Sequence, residues 1–150
     1  MRRWLKFARL ANADRNLLIR TALLLLAMRC GLALFGYVSV RRWLANAGRP
    51  RRGAELESGE DAGKIERLIW ALNTAGAVVL GTQPCLAIAM ATHWLLYRRG
   101  FGTDLRIGVT QDEAGRLEAH AWVERDGRIL IGESQGLDVY QRFPPVNFWP

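Results

Sequence analysis

The sequence predicts an α+β domain in which helices come first and a small antiparallel sheet follows. Three observations carry this prediction. Leu17, Leu18, Thr21, Leu24, Leu25, Met28, Leu32 and Phe35 recur at helical spacing. Cys85 to Arg99 (CLAIAMATHWLLYRR) is a second, strongly apolar helix followed by Gly100, a stop signal. Downstream, apolar residues alternate, and Asp126-Gly127 has the form of a two-residue hairpin turn. Helices followed by a helix that feeds antiparallel strands define the α+β class. At 150 residues and half apolar, the chain is the size of one domain with a real core and no global disorder.

Taken in order, residues 4–46 read as helical, with Asp14 as a plausible N-cap and Gly31 or Gly36 as points where the helix can end or bend. Val40 to Leu44 carries an Arg pair and Trp43. Residues 47–63 hold Gly48, Pro50, Gly53, Ser58 and Gly59 among charges of both signs, which predicts an exposed linker. Asp61 to Ala75 returns to helical spacing, with Ile65, Leu68, Ile69 and Leu72 facing inward, and Gly76 to Thr82 is a short apolar stretch. Pro84 sits at the first turn of the Cys85 helix, where its missing N–H costs nothing. Three strands follow: Asp104–Thr110, Leu117–Glu124 and Arg128–Ile131. The chain divides into a basic helical segment, 1–52, packed on a core of residues 61–150.

Charge is distributed unevenly. Residues 1–52 carry twelve Arg/Lys and one acid, Asp14, for a net +11; the remainder is −4, giving +7 overall. The basicity belongs to the front third alone. It suits a solvated basic face, an acidic partner or peptide, or an anionic membrane surface contacted peripherally. Nucleic acid is disfavoured, because no binding motif accompanies the charge. The apolar run Thr21–Met28 is bracketed by Arg20 and Arg29, well short of the roughly 20 residues of a spanning helix. It lies too deep for a standard signal peptide, and no cleavage signature follows. The two cysteines, Cys30 and Cys85, form no disulfide framework, so a reduced cytoplasmic setting is expected.

The residues that can carry chemistry begin with Cys85. A cysteine at the first turn of a helix faces unpaired N–H groups and the positive end of the helix dipole, which favour the thiolate. The same N–H groups can hold an oxyanion. His120, flanked by Ala119 and Ala121 on a predicted strand, is a base for that thiol. His93 lies eight residues into the Cys85 helix, about 12 Å along its axis, and reads as a helix-surface or core residue. With Asp126-Gly127 as a two-residue turn, Arg125 pairs with Arg128, Val123 faces Leu130 and His120 faces Glu133. Opposed residues share a face about 5 Å apart, so Glu133 is the candidate to orient the imidazole. Asp126 is six residues from His120, about 20 Å along the strand, and belongs to the turn. Asp138 is the reserve. Gln83 is an oxyanion candidate through its side-chain amide. Trp122 shares the face of His120, and Cys30 reads as core. Cys85, His93 and His120 lack the spacing of a zinc site, and there is no P-loop or dinucleotide fingerprint; no cofactor or metal is expected.

The runs PCLAIAMATHWLLYRRGFGTDLRIGV and AHAWVERDGRILIG resemble the leader peptidases of lasso-peptide biosynthesis, in the transglutaminase-like cysteine peptidase superfamily. The resemblance covers residues 61–133 best and extends to the Leu-rich segment upstream. It implies a transglutaminase-like (papain-like) core, with the cysteine helix packed on the sheet. It implies a hydrolase that removes the leader from a ribosomally made precursor peptide, after which a separate lasso cyclase joins the freed amine to an acidic side chain. The family's nucleophile falls on Cys85 and its histidine on His120. Its third residue is usually Asp on the strand after the hairpin. Here that strand reads Ile129-Leu130-Ile131-Gly132-Glu133, with no Asp. The resemblance also implies a separate leader-recognition protein as partner, because the chain begins directly with the helical segment. Two other readings compete: acyl transfer to an amine (or an amidase) on the same fold, and a non-enzymatic basic helical module.

Overall fold

The structure is a computed structural model and describes residues 11–47, 59–81, 85–112, 114–133 and 137–146. Three helices, α1 (Asn12–Ala47), α2 (Gly59–Val79) and α3 (Cys85–Arg98), precede four strands, β1 (Asp104–Gln111), β2 (Leu117–Arg125), β3 (Arg128–Ile131) and β4 (Gln141–Arg142). A 3-10 turn, Leu137–Val139, leads into β4. The sheet is antiparallel with strand order β3-β2-β1-β4. The α+β arrangement expected from the sequence is therefore present.

Helix α1 packs along α2 and α3 through Leu18, Thr21, Leu25 and Met28, one turn apart on a single stripe. Its start differs from expectation. The Ala11 carbonyl accepts the N–H groups of Asp14 and Arg15, so Asp14 lies inside the first turn and does not cap it. The Asp14 carboxylate instead accepts a 2.7 Å hydrogen bond from Arg67 Nε of α2, tying the two helices together at one end. At the other end Arg29 donates to the Leu80 carbonyl at 2.7 Å, beside the last turn of α2. Gly36 (φ 72°, ψ 171°) interrupts the helical conformation, so α1 is two rods joined at a kink. Phe35, which fits the helical spacing, and Cys30, read as core, are both exposed. A helix apolar all round cannot bury every face when neighbours cover only one side.

Helix α2 is longer than its periodicity suggested. It takes in residues 59–63 of the expected linker and Gly76–Val79 of the expected apolar stretch. The remainder of that linker lies outside the described residues, as do residues 1–10 of the basic segment.

Helix α3 is the centre of the domain. Ala87, Ala89, Met90, Ala91, Thr92, Trp94 and Leu96 are buried between α1 and α2 on one side and the sheet on the other. It stops where the sequence says it should. Phe101 N–H donates to the Leu96 carbonyl and Gly100 N–H to the Tyr97 carbonyl, the paired bonds of a Schellman closure. Phe101 then inserts into the core, under the guanidinium of Arg125.

The sheet has two chemically distinct faces, because adjacent strand residues point to opposite sides. Leu105, Ala121, Val123 and Ile131 join the core against α3. Arg106 lies opposite Trp122, Gly108 opposite His120 and Asp104 opposite Glu124 on the other face. The hairpin turn forms at Asp126-Gly127, with φ of 51° and 76°, the pair of positive values a tight primed turn requires. Arg125 pairs with Arg128 as counted from the sequence. The register then slips: Glu124 pairs with Ile129 and Val123 with Ile131, leaving Leu130 as the extra residue of a bulge. The sequence count had placed Val123 opposite Leu130. The segment after Ile131 was not anticipated as sheet, yet it returns through β4 and a bridge from Leu105 to Val146 to cover the β1 edge.

His93 is buried within α3 and shares a 2.9 Å hydrogen bond with Thr103 through Nδ1. Burial holds its pKa down to about 4 against a weaker opposing pull from the Asp104 carboxylate. The native state therefore binds a proton less readily than the unfolded chain. Stability is full above the ordinary histidine range near 6.5 and falls as the pH drops from there towards about 4, by up to roughly 3 kcal/mol. Urea midpoints measured across this interval should decline in the wild-type chain and decline less in His93→Gln; identical slopes would remove His93 as the cause.

Candidate active site

Cys85 is the first residue of α3, half-buried and packed against the edge of the core. The first N–H groups of a helix have no partner within it, so the thiol stands at the positive end of the helix dipole. Residues 82–84 precede it, and Gln83, the oxyanion candidate, lies outside the described residues.

Chain geometry sets the Cys85 end of α3 and His120 at a similar level along the sheet, with His120 on the sheet face turned away from the α3 core. The link from α3 to β1 spans only residues 99–103, so the strand runs back alongside the helix. Fourteen residues make α3 about 20 Å long, and Gly108, the partner of His120, lies about 13 Å along β1 from its start. The Cys85 end of α3 thus reaches the level of Gly108 and the residues just beyond it. Burial on the α3 side of β2 agrees: Val123 and Ala121 are buried, whereas Ala119 and Leu117 are exposed, so the helix cover ends beside His120. His120 also lies past the end of the β2–β3 ladder, where the edge of β2 has no strand pairing with it among the described residues. Among the described residues no hydrogen bond joins the Cys85 sulfur to the imidazole.

The imidazole itself is firmly held. His120 Nε2 lies 2.7 Å from the Gly132 carbonyl oxygen. A carbonyl only accepts, so Nε2 carries the proton and donates it, and in the neutral ring Nδ1 is left as the basic nitrogen. Trp122 stacks on the ring at 6.1 Å between centroids with an 18° tilt, on the face the sequence assigned to it. Tyr140 packs on it at 5.7 Å with a 43° tilt.

The bulge at Leu130 changes the third position. With Val123 opposite Ile131, continued pairing would set Glu133 beside Ala121 and not beside His120, and β3 has already ended. Gly132 (φ 86°) turns the chain so that its carbonyl, one residue before Glu133, meets the imidazole. Glu133 is exposed. Asp138 is exposed on the 3-10 turn, and Asp126 is exposed in the hairpin turn and paired with Arg125 at 3.3 Å. Among the described residues no carboxylate hydrogen-bonds to His120.

The structure also shows a group of residues that the sequence did not single out. Glu124 is buried two positions along the face from Trp122. Its Oε1 accepts from Trp122 Nε1 at 2.7 Å and from Arg142 at 3.4 Å, while Oε2 accepts from Arg106 Nε at 3.2 Å. Arg142 also lies over the Trp122 ring at 5.6 Å. One carboxylate therefore holds the indole that backs the imidazole and the arginine that carries β4. Gly108 completes the arrangement, since a Cβ there would lie 2.9 Å from Tyr140 Cβ and 3.0 Å from the Trp122 ring. The alternation His120, Trp122, Glu124 was a readable sign of a shared face. Tyr140 and Arg142 had no such sign, because only tertiary folding brings β4 to the sheet. No group of three or more His, Cys, Asp or Glu side chains among the described residues is arranged to hold a metal ion.

Two substitutions test this scaffold. Gly132→Ala forces a side chain into a left-handed conformation and places its Cβ 2.8 Å from the Ala121 carbonyl oxygen. It should lower the thermal midpoint by at least about 3 °C, as seen by calorimetry. Glu124→Ala leaves the Trp122 N–H and two arginines without their shared acceptor and should cost about 3 kcal/mol in a urea titration. A loss below about 0.5 kcal/mol would mean that the cluster is not a structural support.

One comparison with known proteins gives a family. Residues 22–146 match the Transglutaminase-like superfamily domain, a span that includes most of α1, all of α2 and α3, and the whole sheet. No curated protein and no solved structure matches the chain. A helix that begins with a half-buried cysteine, packed on an antiparallel sheet whose second strand carries a histidine, is thus matched by family over most of its length, and the chain belongs to the transglutaminase-like superfamily.

Proposed function

We propose that the chain is a cysteine peptidase that removes the leader from a ribosomally made lasso-peptide precursor. The observation that supports the chemistry is the bond from His120 Nε2 to the Gly132 carbonyl, which leaves Nδ1 as the basic nitrogen, beside the place of Cys85 at the first turn of α3. Nδ1 takes the thiol proton, and the sulfur attacks the carbonyl carbon of the scissile peptide bond. The free N–H groups at the start of α3 stabilise the oxyanion. The C–N bond breaks as Nδ1 returns the proton to the leaving amine. Water, deprotonated by the same nitrogen, then cleaves the thioester and restores the thiol. In this reading Gly132 supplies the orientation expected of Glu133, and Trp122, held by Glu124, backs the ring.

The choice of a lasso-peptide leader rests on the resemblance of the Cys85 and His120 runs. It brings with it a separate leader-recognition protein, a cyclase acting on the product, and a cytoplasmic setting. Acyl transfer to an amine uses the same thioester and differs only in the nucleophile that resolves it.

Cys85→Ala and His120→Ala should keep the wild-type circular dichroism and lose at least about 10³-fold in cleavage of a precursor peptide presented with its recognition protein. Wild-type cleavage by Cys85→Ala would rule the mechanism out. Glu133→Gln separates the two candidates for the orienting role. Retention of rate within about tenfold supports the Gly132 carbonyl, and a loss equal to that of His120→Ala restores Glu133. Product masses decide the reaction: hydrolysis leaves each fragment as acid and amine, whereas transfer joins the acyl part to an added amine.

A further inference from the structure

The outer face of α1 carries an apolar stripe that no described part of the domain covers. Ile19, Leu23, Leu26, Cys30 and Leu34 succeed one another at three- and four-residue spacing over about 22 Å of helix. Leu23 is 62% and Leu34 75% exposed, and Cys30 is exposed in the middle of the run. Phe35, at the kink, and Val38 and Trp43, past it, extend the exposed apolar surface. Leu18, Thr21, Leu25 and Met28 point the other way, into the core. The helix is therefore apolar on two opposite faces, and only one of them is explained by folding. An exposed apolar run of this size on a folded domain marks a binding surface.

The charges around it select the occupant. Residues 12–47 hold five arginines and one acid, Asp14, and that acid is engaged by Arg67. Arg20 and Arg42 are exposed. An apolar stripe edged by arginines, with an exposed Trp and Phe, matches a helix lying in the headgroup region of an anionic bilayer. A second copy of the chain is opposed by the like charge that both copies would bring together. The same helix is long and apolar enough to cross a membrane, with a window of mean hydropathy 1.9. This differs from the short run read between Arg20 and Arg29, because the apolar character resumes after Arg29. Its inward face, however, is committed to the core with α2 and α3.

We infer that α1 is a peripheral membrane-docking surface that binds anionic lipid in the plane of the interface through Ile19, Leu23, Leu26, Cys30 and Leu34, with flanking arginines on the headgroups. The test uses the full chain with Cys85→Ala, which leaves Cys30 as the single thiol for an environment-sensitive fluorophore. Vesicles of phosphatidylcholine with about one-third phosphatidylglycerol should blue-shift the emission and shield it from an aqueous quencher; phosphatidylcholine alone should do far less. Unlabelled wild-type chain should co-sediment with the anionic vesicles and come off as salt rises from about 0.1 M to about 1 M. Arg20→Gln with Arg42→Gln should weaken binding roughly fivefold per arginine. Leu23→Gln with Leu26→Gln, on an already exposed face, should weaken it without altering the circular dichroism.

No shift with either vesicle, or equal binding to both, overturns the inference. So does shielding of Cys30 that grows with protein concentration in lipid-free buffer, which would assign the stripe to a second copy. Shielding by an acidic peptide but not by vesicles would assign it to a protein partner. Vesicle binding that resists high salt and yields only to detergent would mean that the helix inserts across the bilayer, and would equally reject in-plane docking.

Discussion

The packing of α3 against Ala121 and Val123 of β2 is the contact on which the rest of the molecule depends. It sets how far the Cys85 end of the helix reaches along the sheet. The Schellman closure at Gly100 and the buried Phe101 anchor the opposite end, and the five-residue link to β1 leaves little freedom in between. A helix of fixed rise tied to a strand of fixed rise has its first residue placed by arithmetic. Small residues in α3, notably Ala87, Ala89 and Ala91, let neighbouring elements approach it from several sides at once. The position of Cys85 is thus a by-product of core packing.

The opposite face of the sheet works by a different physics. There a single carboxylate, Glu124, gathers an indole N–H and two guanidinium groups in a place almost closed to water. The buried indole N–H and the carboxylate would be costly to leave unpaired. Together they fix Trp122 behind the imidazole and hold β4, and with it Tyr140, against β1. His120 stands between these two halves. Its position along the strand comes from the ladder with β1, and its ring orientation from Gly132, Trp122 and Tyr140.

Much of this was legible beforehand. The helical spacing of Leu18, Leu25 and Met28, the stop at Gly100, the Asp126-Gly127 turn and the first pair of the hairpin all follow from local rules, and each is present. Where the reading failed, a non-local influence intervened. The bulge at Leu130 moved every later residue of the hairpin by one position, and a one-residue slip exchanges the faces. Glu133 was chosen by a count that such a slip undoes. Phe35 fitted the helical period and Cys30 was read as core, but the limited surface that α2 and α3 offer covers neither.

What the sequence determined by itself was what depends on neighbours a few residues away: which of the longer segments are helix or strand, that α3 stops at Gly100, that a cysteine begins a helix, and that His120 and Trp122 share one face. What only the tertiary structure decided was which distant groups meet. The Gly132 carbonyl reaches His120 because a bulge and a positive φ turn the chain there, and Arg142 reaches Glu124 because β4 closes the sheet edge. The exposure of one apolar face of α1 was decided in the same way. Periodicity says which side chains share a face, but only packing says whether anything covers it.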